Sequence, residues 1–387
     1  MPIRATRRGD ERTPLSGSCD VLICGASFAG LATARELAGS GADVLVLDRY
    51  EIGERQTSAC AAPTEWLRAL GLMEAERQRF DRLLIHTPHG DTCFHLPWAF
   101  STFDYRQLCA LMWRDCDARF ETATVRGRAA SNGGGEIAVE TDRGVLSAPL
   151  VVDALGWRRV LASGDGYQPP DAPLSRGLEV HPRGSGDDFE IWIDRRYVPA
   201  GYGWCFPADD ELRIGVGSFD PRFHVRDTTE LLVGDLDRER RGSDLAGQPP
   251  EYQGNWIPHK LRSATEGGVF FAGDSAGHCL PVTAEGIRTA LYFGVALGRE
   301  LRAVVDGRQG RDEAAARYAA FHDSHEWKFR WMLRVQKLLP RVPPRLLAPL
   351  IRLLGRKRAV DWVFGHYLKV APAELARQSR RPLRVAA

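Results

Sequence analysis

No apolar run in this 387-residue chain approaches the ~20 residues a membrane-spanning helix needs, and the mean hydropathy is -0.29. That excludes a transmembrane helix. Residues 1–18 are rich in arginine but hold no apolar segment, so they read as a flexible cytoplasmic tail rather than a secretory signal. Among the eight cysteines there is no CxxC pair and no Cys/His cluster at zinc-finger spacing. This argues against a metal site and for thiols that stay reduced. Repeats are absent, and the one low-complexity stretch is the turn Asn132 to Gly135. With 44% hydrophobic and 26% charged residues, disorder is excluded as well. The small net charge of +2 hides an imbalance. Residues 321–387 carry 15 Lys and Arg against 4 Asp and Glu, so the first 320 residues are net acidic. A basic block confined to one end points to a membrane surface or another anionic partner, and away from general nucleic-acid binding.

The strongest pattern present lies near the N-terminus. A short β-rich run, Val21 to Cys24, meets the turn Gly25-Ala-Ser27-Phe28-Ala29-Gly30, a helical stretch to about Gly39, and a second strand ending at Asp48. This βαβ unit puts backbone N–H groups and a helix N-terminus where a pyrophosphate binds, and a strand-end carboxylate within reach of ribose hydroxyls. Asp48 follows Gly25 by 23 residues, and Arg49 follows it. Ser27 stands where the dinucleotide fingerprint has its middle glycine, and is small enough for close phosphate approach. The unit predicts a dinucleotide without saying which.

A second block selects among them. Gly268 to Phe271 reads as a strand, Gly273-Asp274 closes it, and the chain passes Pro281 to reach a long helix near Glu285-Gly286-Ile287. A carboxylate at a strand end can hold a ligand hydroxyl. The positive end of the following helix suits the negative charge that a flavin's pyrimidine carbonyl gains on reduction. These blocks resemble the FAD-binding signatures of the geranylgeranyl reductase family, within the para-hydroxybenzoate-hydroxylase-like flavoproteins. The resemblance implies that the segment GDSAGHCLPVTAEGI lines the flavin of a bound FAD. It further implies that Arg106, at a helix start, approaches the cofactor, although a solvated helix-end arginine reads equally well. Asp153 and Gly156 stand in the family's strand-then-DG motif, but two residues separate them and Trp157-Arg158-Arg159 replaces the usual serine. Asp153 is thus a cofactor contact or a purely structural strand-end turn.

Between the flavin blocks, Tyr202-Gly-Trp204-Cys-Phe206-Pro places three aromatics on one face of a strand by the two-residue period. An aromatic stripe is ordinarily sheet core. The string is similar to the family's YxWxFP…GxG motif, which implies an isoprenoid cavity, with Gly215 and Gly217 leaving room for a bulky ligand. Cys60 falls where relatives carry a cysteine near the flavin, and reads either as a catalytic thiol or as a small buried residue. From Trp327 onward, Trp and Leu alternate with Lys and Arg in two runs broken by prolines. These are amphipathic helices, lying on a membrane or capping the flavin domain.

The expected fold is α/β. A Rossmann-like FAD-binding domain occupies residues 19–80, 100–175 and 255–310. An inserted mixed β-sheet substrate domain takes 81–99 and 176–254, and a basic helical region follows over 311–387. The expected activity is FAD-dependent reduction of carbon–carbon double bonds in an isoprenoid, with electrons from NAD(P)H or a redox protein. The alternative is an FAD-dependent monooxygenase.

Overall fold

The structure is a computed structural model and describes residues 12–56, 58–130, 135–162, 174–240 and 244–378. Ten helices are found among them: α1 (Phe28–Leu37), α2 (Thr64–Ala69), α3 (Tyr105–Arg114), α4 (Arg226–Glu239), α5 (Ile287–Val305), α6 (Arg311–Asp323), α7 (Glu326–Leu338), α8 (Pro344–Leu354), α9 (Lys357–Leu368) and α10 (Glu374–Arg377).

The short apolar runs of the first motif become the centre of a six-stranded sheet. Val21–Cys24 pairs in parallel with Val44–Asp48 on one side and Leu150–Asp153 on the other, and the last of these pairs with Val269–Phe271. Arg119–Thr122 and Thr265–Glu266 form its edges. Such central strands are buried on both faces, which explains their unbroken hydrophobic reading. Helices α1 and α5 pack closely at Gly294 and Gly298, where a Cβ would lie 2.9 Å from Ala32 Cβ and 2.6 Å from Glu36 Cβ, and Thr33 Oγ1 donates to Gly294 O at 3.1 Å.

A second sheet has eight strands in the order Gln253–Pro258, Leu174–Val180, Glu211–Ser218, Gly201–Ala208, Phe189–Trp192, Glu76–His86, Thr92–Phe103 and Ala61–Pro63. It is mixed, because Phe189–Trp192 runs parallel to Glu76–His86 while its other pairings are antiparallel. The expected boundaries at 80/81 and 99/100 therefore cut through strands that lie wholly in this sheet. A four-stranded sheet completes the β structure. Gly17–Ser18 is one of its strands, and Arg12 pairs with Asp142 at 3.0 Å. Residues 12–18 are thus fastened down by backbone pairing, contrary to the expectation of a tail; residues 1–11 lie outside the described residues, as does most of the Asn132–Gly135 turn.

The C-terminal helices wrap back over both large sheets. Phe364 of α9 packs edge-on against Phe94 and against Trp98. Further on, Ala371 O accepts from Trp66 Nε1 at 3.1 Å, and Leu375 O accepts from Arg299 Nη2 at 2.6 Å. Carbonyls freed at helix ends are satisfied by side chains of the first core.

Candidate active site

A cavity of about 1090 Å³ lies between the six- and eight-stranded sheets, and the C-terminal helices form part of its wall. Its first end is built by the glycine turn. Gly25 has φ +116°, and a Cβ there would lie 2.2 Å from Ala154 O; one on Gly30 would lie 1.8 Å from Gly25 O. These two glycines do not line the cavity. They let the turn close so tightly that Ala26, Ser27, Phe28 and Ala29 do. Helix α1 starts there with no side-chain cap and no acidic residue in its first turn. Its N–H groups and positive dipole end are left for an anion. Ser27 Oγ lies 3.2 Å from the Tyr105 hydroxyl.

Asp48 lines the same end with Arg49. Its two oxygens accept from Ala26 N at 2.8 Å and Tyr50 N at 2.9 Å. Burial pushes its carboxyl above the usual range despite those bonds. Across the cavity, Gly273 and Asp274 follow the strand Val269–Phe271 as a 3₁₀ turn. Burial raises the Asp274 carboxyl to about 6, and no described residue donates it a hydrogen bond. A half-buried carboxyl that faces a cavity with no donor from the described residues is the feature a hydroxyl-bearing ligand satisfies. Together with the uncapped helix, it fits the ribityl and pyrophosphate parts of FAD.

Gly286 and Ile287 also line the cavity, and the loop before them is strained. Val282 and Ala284 have φ +72° and +51°, values that cost a residue with a side chain roughly 1–3 kcal/mol. Three contacts hold it: Val282 N donates to Gln336 Oε1 at 2.8 Å, the Tyr202 hydroxyl donates to Thr283 O at 2.5 Å, and Thr283 Oγ1 meets the Tyr367 hydroxyl at 2.9 Å. Glu285 lines the cavity, but its carboxylate is bound to Arg288 Nε at 2.7 Å and to the Tyr367 hydroxyl. Gln336 and Tyr367 come from α7 and α9, and no sequence motif marks either one. Behind the turn, Gly273 N donates to His278 Nδ1 at 3.1 Å, and His278 Nε2 meets His322 Nδ1 at 2.9 Å. Burial drives His278 well below its ordinary value, so it is a neutral brace.

The second end is aromatic. Tyr202, Trp204 and Phe206 all line the cavity from one face of their strand, while Cys205 is buried behind them. Phe206 stacks on Phe189 at 3.8 Å and 5°. Leu339, Val342, Leu347 and Phe364 of the C-terminal region continue this apolar surface. Cys60 lines the cavity with φ +49°, and its carbonyl accepts from Arg213 Nη1 at 3.1 Å. Burial pushes the thiol well above its ordinary value, which removes thiolate chemistry.

Besides Gly25 and Gly30, four further expected contacts are placed elsewhere. Arg106 is exposed on α3, with its backbone packed on Gly53, and Tyr105 takes its place facing the cavity. The helix start turns Tyr105 inward and the next residue outward. Asp153 is fully buried and spent within the protein, accepting from Leu155 N at 3.0 Å, Leu161 N at 2.8 Å and Ser275 Oγ at 2.6 Å. It is the structural strand-end turn. Pro281 is buried off the cavity. Over Gly215 the room is already filled, because a Cβ there would meet the Trp204 indole at 2.3 Å. That glycine seats the tryptophan, and only Gly217 faces the cavity.

Residues 20–86 match the family model of FAD dependent oxidoreductases. Over 93% of its length the chain is 24% identical to digeranylgeranylglycerophospholipid reductase 2 of Methanopyrus kandleri, covering 96% of that protein. The fold superposes on a geranylgeranyl bacteriochlorophyll reductase-like protein of Thermoplasma acidophilum with a TM-score of 0.77, at 15% identity, over 94% of this chain and 98% of that one. It is also similar to p-nitrophenol 4-monooxygenase of Pseudomonas putida, with a TM-score of 0.70 and 14% identity, over 94% and 100% of the two chains. The chain is an FAD-dependent oxidoreductase, similar over 93% of its length to a digeranylgeranylglycerophospholipid reductase.

Proposed function

We propose that the protein reduces carbon–carbon double bonds of an isoprenoid chain. The observation that carries this reading is the continuity of one cavity, from the glycine turn and Asp274 to the aromatic wall and the apolar side of the C-terminal helices. In this reading the six-stranded sheet with α1 and α5 holds FAD, and the eight-stranded sheet holds the substrate. The first turn of α1 receives the pyrophosphate, Asp48 the adenosine ribose, and Asp274 the ribityl hydroxyls. Bound and reduced, FAD supplies the hydride. Tyr202, Trp204 and Phe206 keep water out and align an extended apolar chain beside it. The Cys60 thiol closes the wall as a neutral group. Asp153 is used inside the protein, whereas Ala154 to Arg158 line the cavity; NAD(P)H or a redox protein would supply the electrons.

A membrane completes the reading. Trp327 and Trp331 of α7 and Trp362 of α9 are 63%, 60% and 66% exposed, in a stretch of chain that also carries Lys328, Arg334, Arg345, Arg356 and Lys357, and α8 and α9 border the cavity. Apolar side chains ringed by cations suit an anionic bilayer surface, from which a lipid-dwelling isoprenoid would enter. No described helix is long and apolar enough to cross a membrane. The test is product analysis after anaerobic incubation of the reduced holoenzyme with a polyprenol. A saturated bond supports reduction. A product formed only in air and bearing a new hydroxyl would instead establish the monooxygenase reading.

A further inference from the structure

Glu179 is buried, only 3% exposed, yet neither the cofactor end nor the apolar wall accounts for it. Its strand pairs it with Gly215 on one side and Gln253 on the other, and Gly215 stands opposite Trp204. Glu179, Gln253 and Trp204 thus share the face that lines the cavity. Among the described residues, Glu179 is the one carboxyl with which the eight-stranded sheet lines that cavity. Its Oε2 accepts from Trp204 Nε1 at 3.2 Å, and its Oε1 lies 3.0 Å from His181 Nε2. On the far side of the ring, His181 Nδ1 faces Gln253 Nε2 at 3.4 Å. With the Gln253 amide N–H as donor, Nδ1 accepts and the ring hydrogen is on Nε2, facing Glu179; Gln253 Oε1 has no partner among the described residues. Arg213 is the neighbouring cation, but its guanidinium is bound to Glu211 at 2.8 Å and to the carbonyls of Ala59 and Cys60. No described Lys or Arg pairs with Glu179.

A buried carboxyl without a cation costs stability, so a wall meant only to repel water would have an apolar residue there. What this carboxyl offers an apolar cavity is a transferable proton. We propose that Glu179 protonates the alkene during reduction and that His181, 10% exposed at its side chain, resupplies it from solvent. The proposal rests on the reductase reading. The alkene π bond breaks; a hydride with its electron pair comes from reduced flavin to one carbon, and the Glu179 proton goes to the other. Two C–H bonds form, leaving oxidised flavin and a Glu179 carboxylate; His181 returns its Nε2 proton to that carboxylate as its Nδ1, released by Gln253, takes one from solvent. The electrons are restored by the two-electron donor that reduces the flavin.

The experiment uses full-length holoenzyme, reduced anaerobically with dithionite and mixed with geranylgeraniol. Glu179→Gln should slow alkene-dependent flavin reoxidation by about 100-fold or more, the span of general acid catalysis. Its FAD content and its dissociation constant for geranylgeraniol should stay within about twofold of the parent. Glu179→Asp should recover part of the rate. The nitrogen-15 histidine spectrum of the unreduced protein should show His181, identified by its loss in His181→Asn, as the Nε2–H tautomer. Trp204→Phe separates proton donation from mere orientation of the indole, and should slow the reaction at least about tenfold less than Glu179→Gln. Equal losses in those two variants, or a wild-type rate in Glu179→Gln, would overturn the proposal. A parent protein that no polyprenol reoxidises would instead bring down the reductase reading, and this step with it.

Discussion

The two ends of the cavity are built by opposite means. At the end proposed for the cofactor the backbone does the shaping: two glycines let chain segments approach to distances that no Cβ permits, and helix and strand ends supply the polar groups. At the end proposed for the substrate side chains do it. Tryptophan fills the room over a glycine, phenylalanines stack, and helices from the far C-terminus complete the wall. A backbone-built site tolerates almost no substitution at its closest contacts, whereas a wall of side chains degrades by degrees. The difference can be broken or sharpened by mutation.

The largest effect belongs to Gly30. Gly30→Val forces a side chain to within 1.8 Å of Gly25 O, and the variant should retain no flavin, measured as the flavin-to-protein absorbance ratio. Flavin retained at the parent ratio would mean that the turn is not the cofactor cradle. Next comes Trp204→Ala, which removes a large aromatic contributing about 3–5 kcal/mol where fully buried, and less at this half-buried position. It should raise the polyprenol KM with FAD content unchanged, and a melting curve checks that the sheet survives. Normal KM in a folded, flavin-loaded variant would make the stripe core and not cavity.

Acid stability sharpens the comparison from another side. Burial lowers His259, His322 and His325 to about 4, below the ~6.5 of an unfolded chain. Between those values the unfolded state binds more protons, so the stability these rings allow is complete above pH ~6.5 and is lost as pH falls towards 4. Asp274 has the opposite sign. Its carboxyl is raised to about 6, so the folded apoprotein holds that proton more tightly and loses stability as pH rises through the same window. Each shifted group contributes roughly 1.4 kcal/mol per pH unit. Burial also raises the Asp48 and Asp153 carboxyls, so the net slope balances opposite signs; relative to the parent, Asp274→Asn should lower the apoprotein's melting temperature progressively on acidification from pH ~6.5 to ~4. An unchanged slope in that variant would place Asp274 in water.

Smaller effects are expected at single polar contacts. Asp48→Ala should weaken FAD binding by about 1.5–3 kcal/mol, read by titration of the apoprotein. On the C-terminal helices, Arg345, Arg356, Lys357 and Arg358 changed together to Gln should weaken co-sedimentation with anionic vesicles by about 1 kcal/mol per residue engaged. Arg352 is left in place because its Nη2 donates to His89 O at 2.8 Å. Undiminished sedimentation would remove the basic helices from membrane contact.

The cofactor end was largely legible in the sequence because its physics is local. Strand, glycine turn, helix and terminal acid follow one another within residues 21–48, and the period of two correctly put Tyr202, Trp204 and Phe206 on one face. What could not be read depended on long-range placement. The sequence does not reveal which of Tyr105 and Arg106 turns inward, that the Asp153 carboxyl is consumed by Ser275 more than a hundred residues away, or that an indole occupies the space over Gly215. Glu179 escaped notice because a single acid in a strand ordinarily faces solvent; only the register with Gly215 and Gln253 reveals its position.

Anaerobic stopped-flow mixing of the reduced holoenzyme with a polyprenol tests the central claim most directly. Reduction of an isoprenoid predicts that the flavin absorbance returns without oxygen, at a rate that rises with polyprenol concentration and saturates. If the absorbance returns only when oxygen is admitted, through an oxygen-adduct spectrum and regardless of the polyprenol, the protein is not a reductase of this kind.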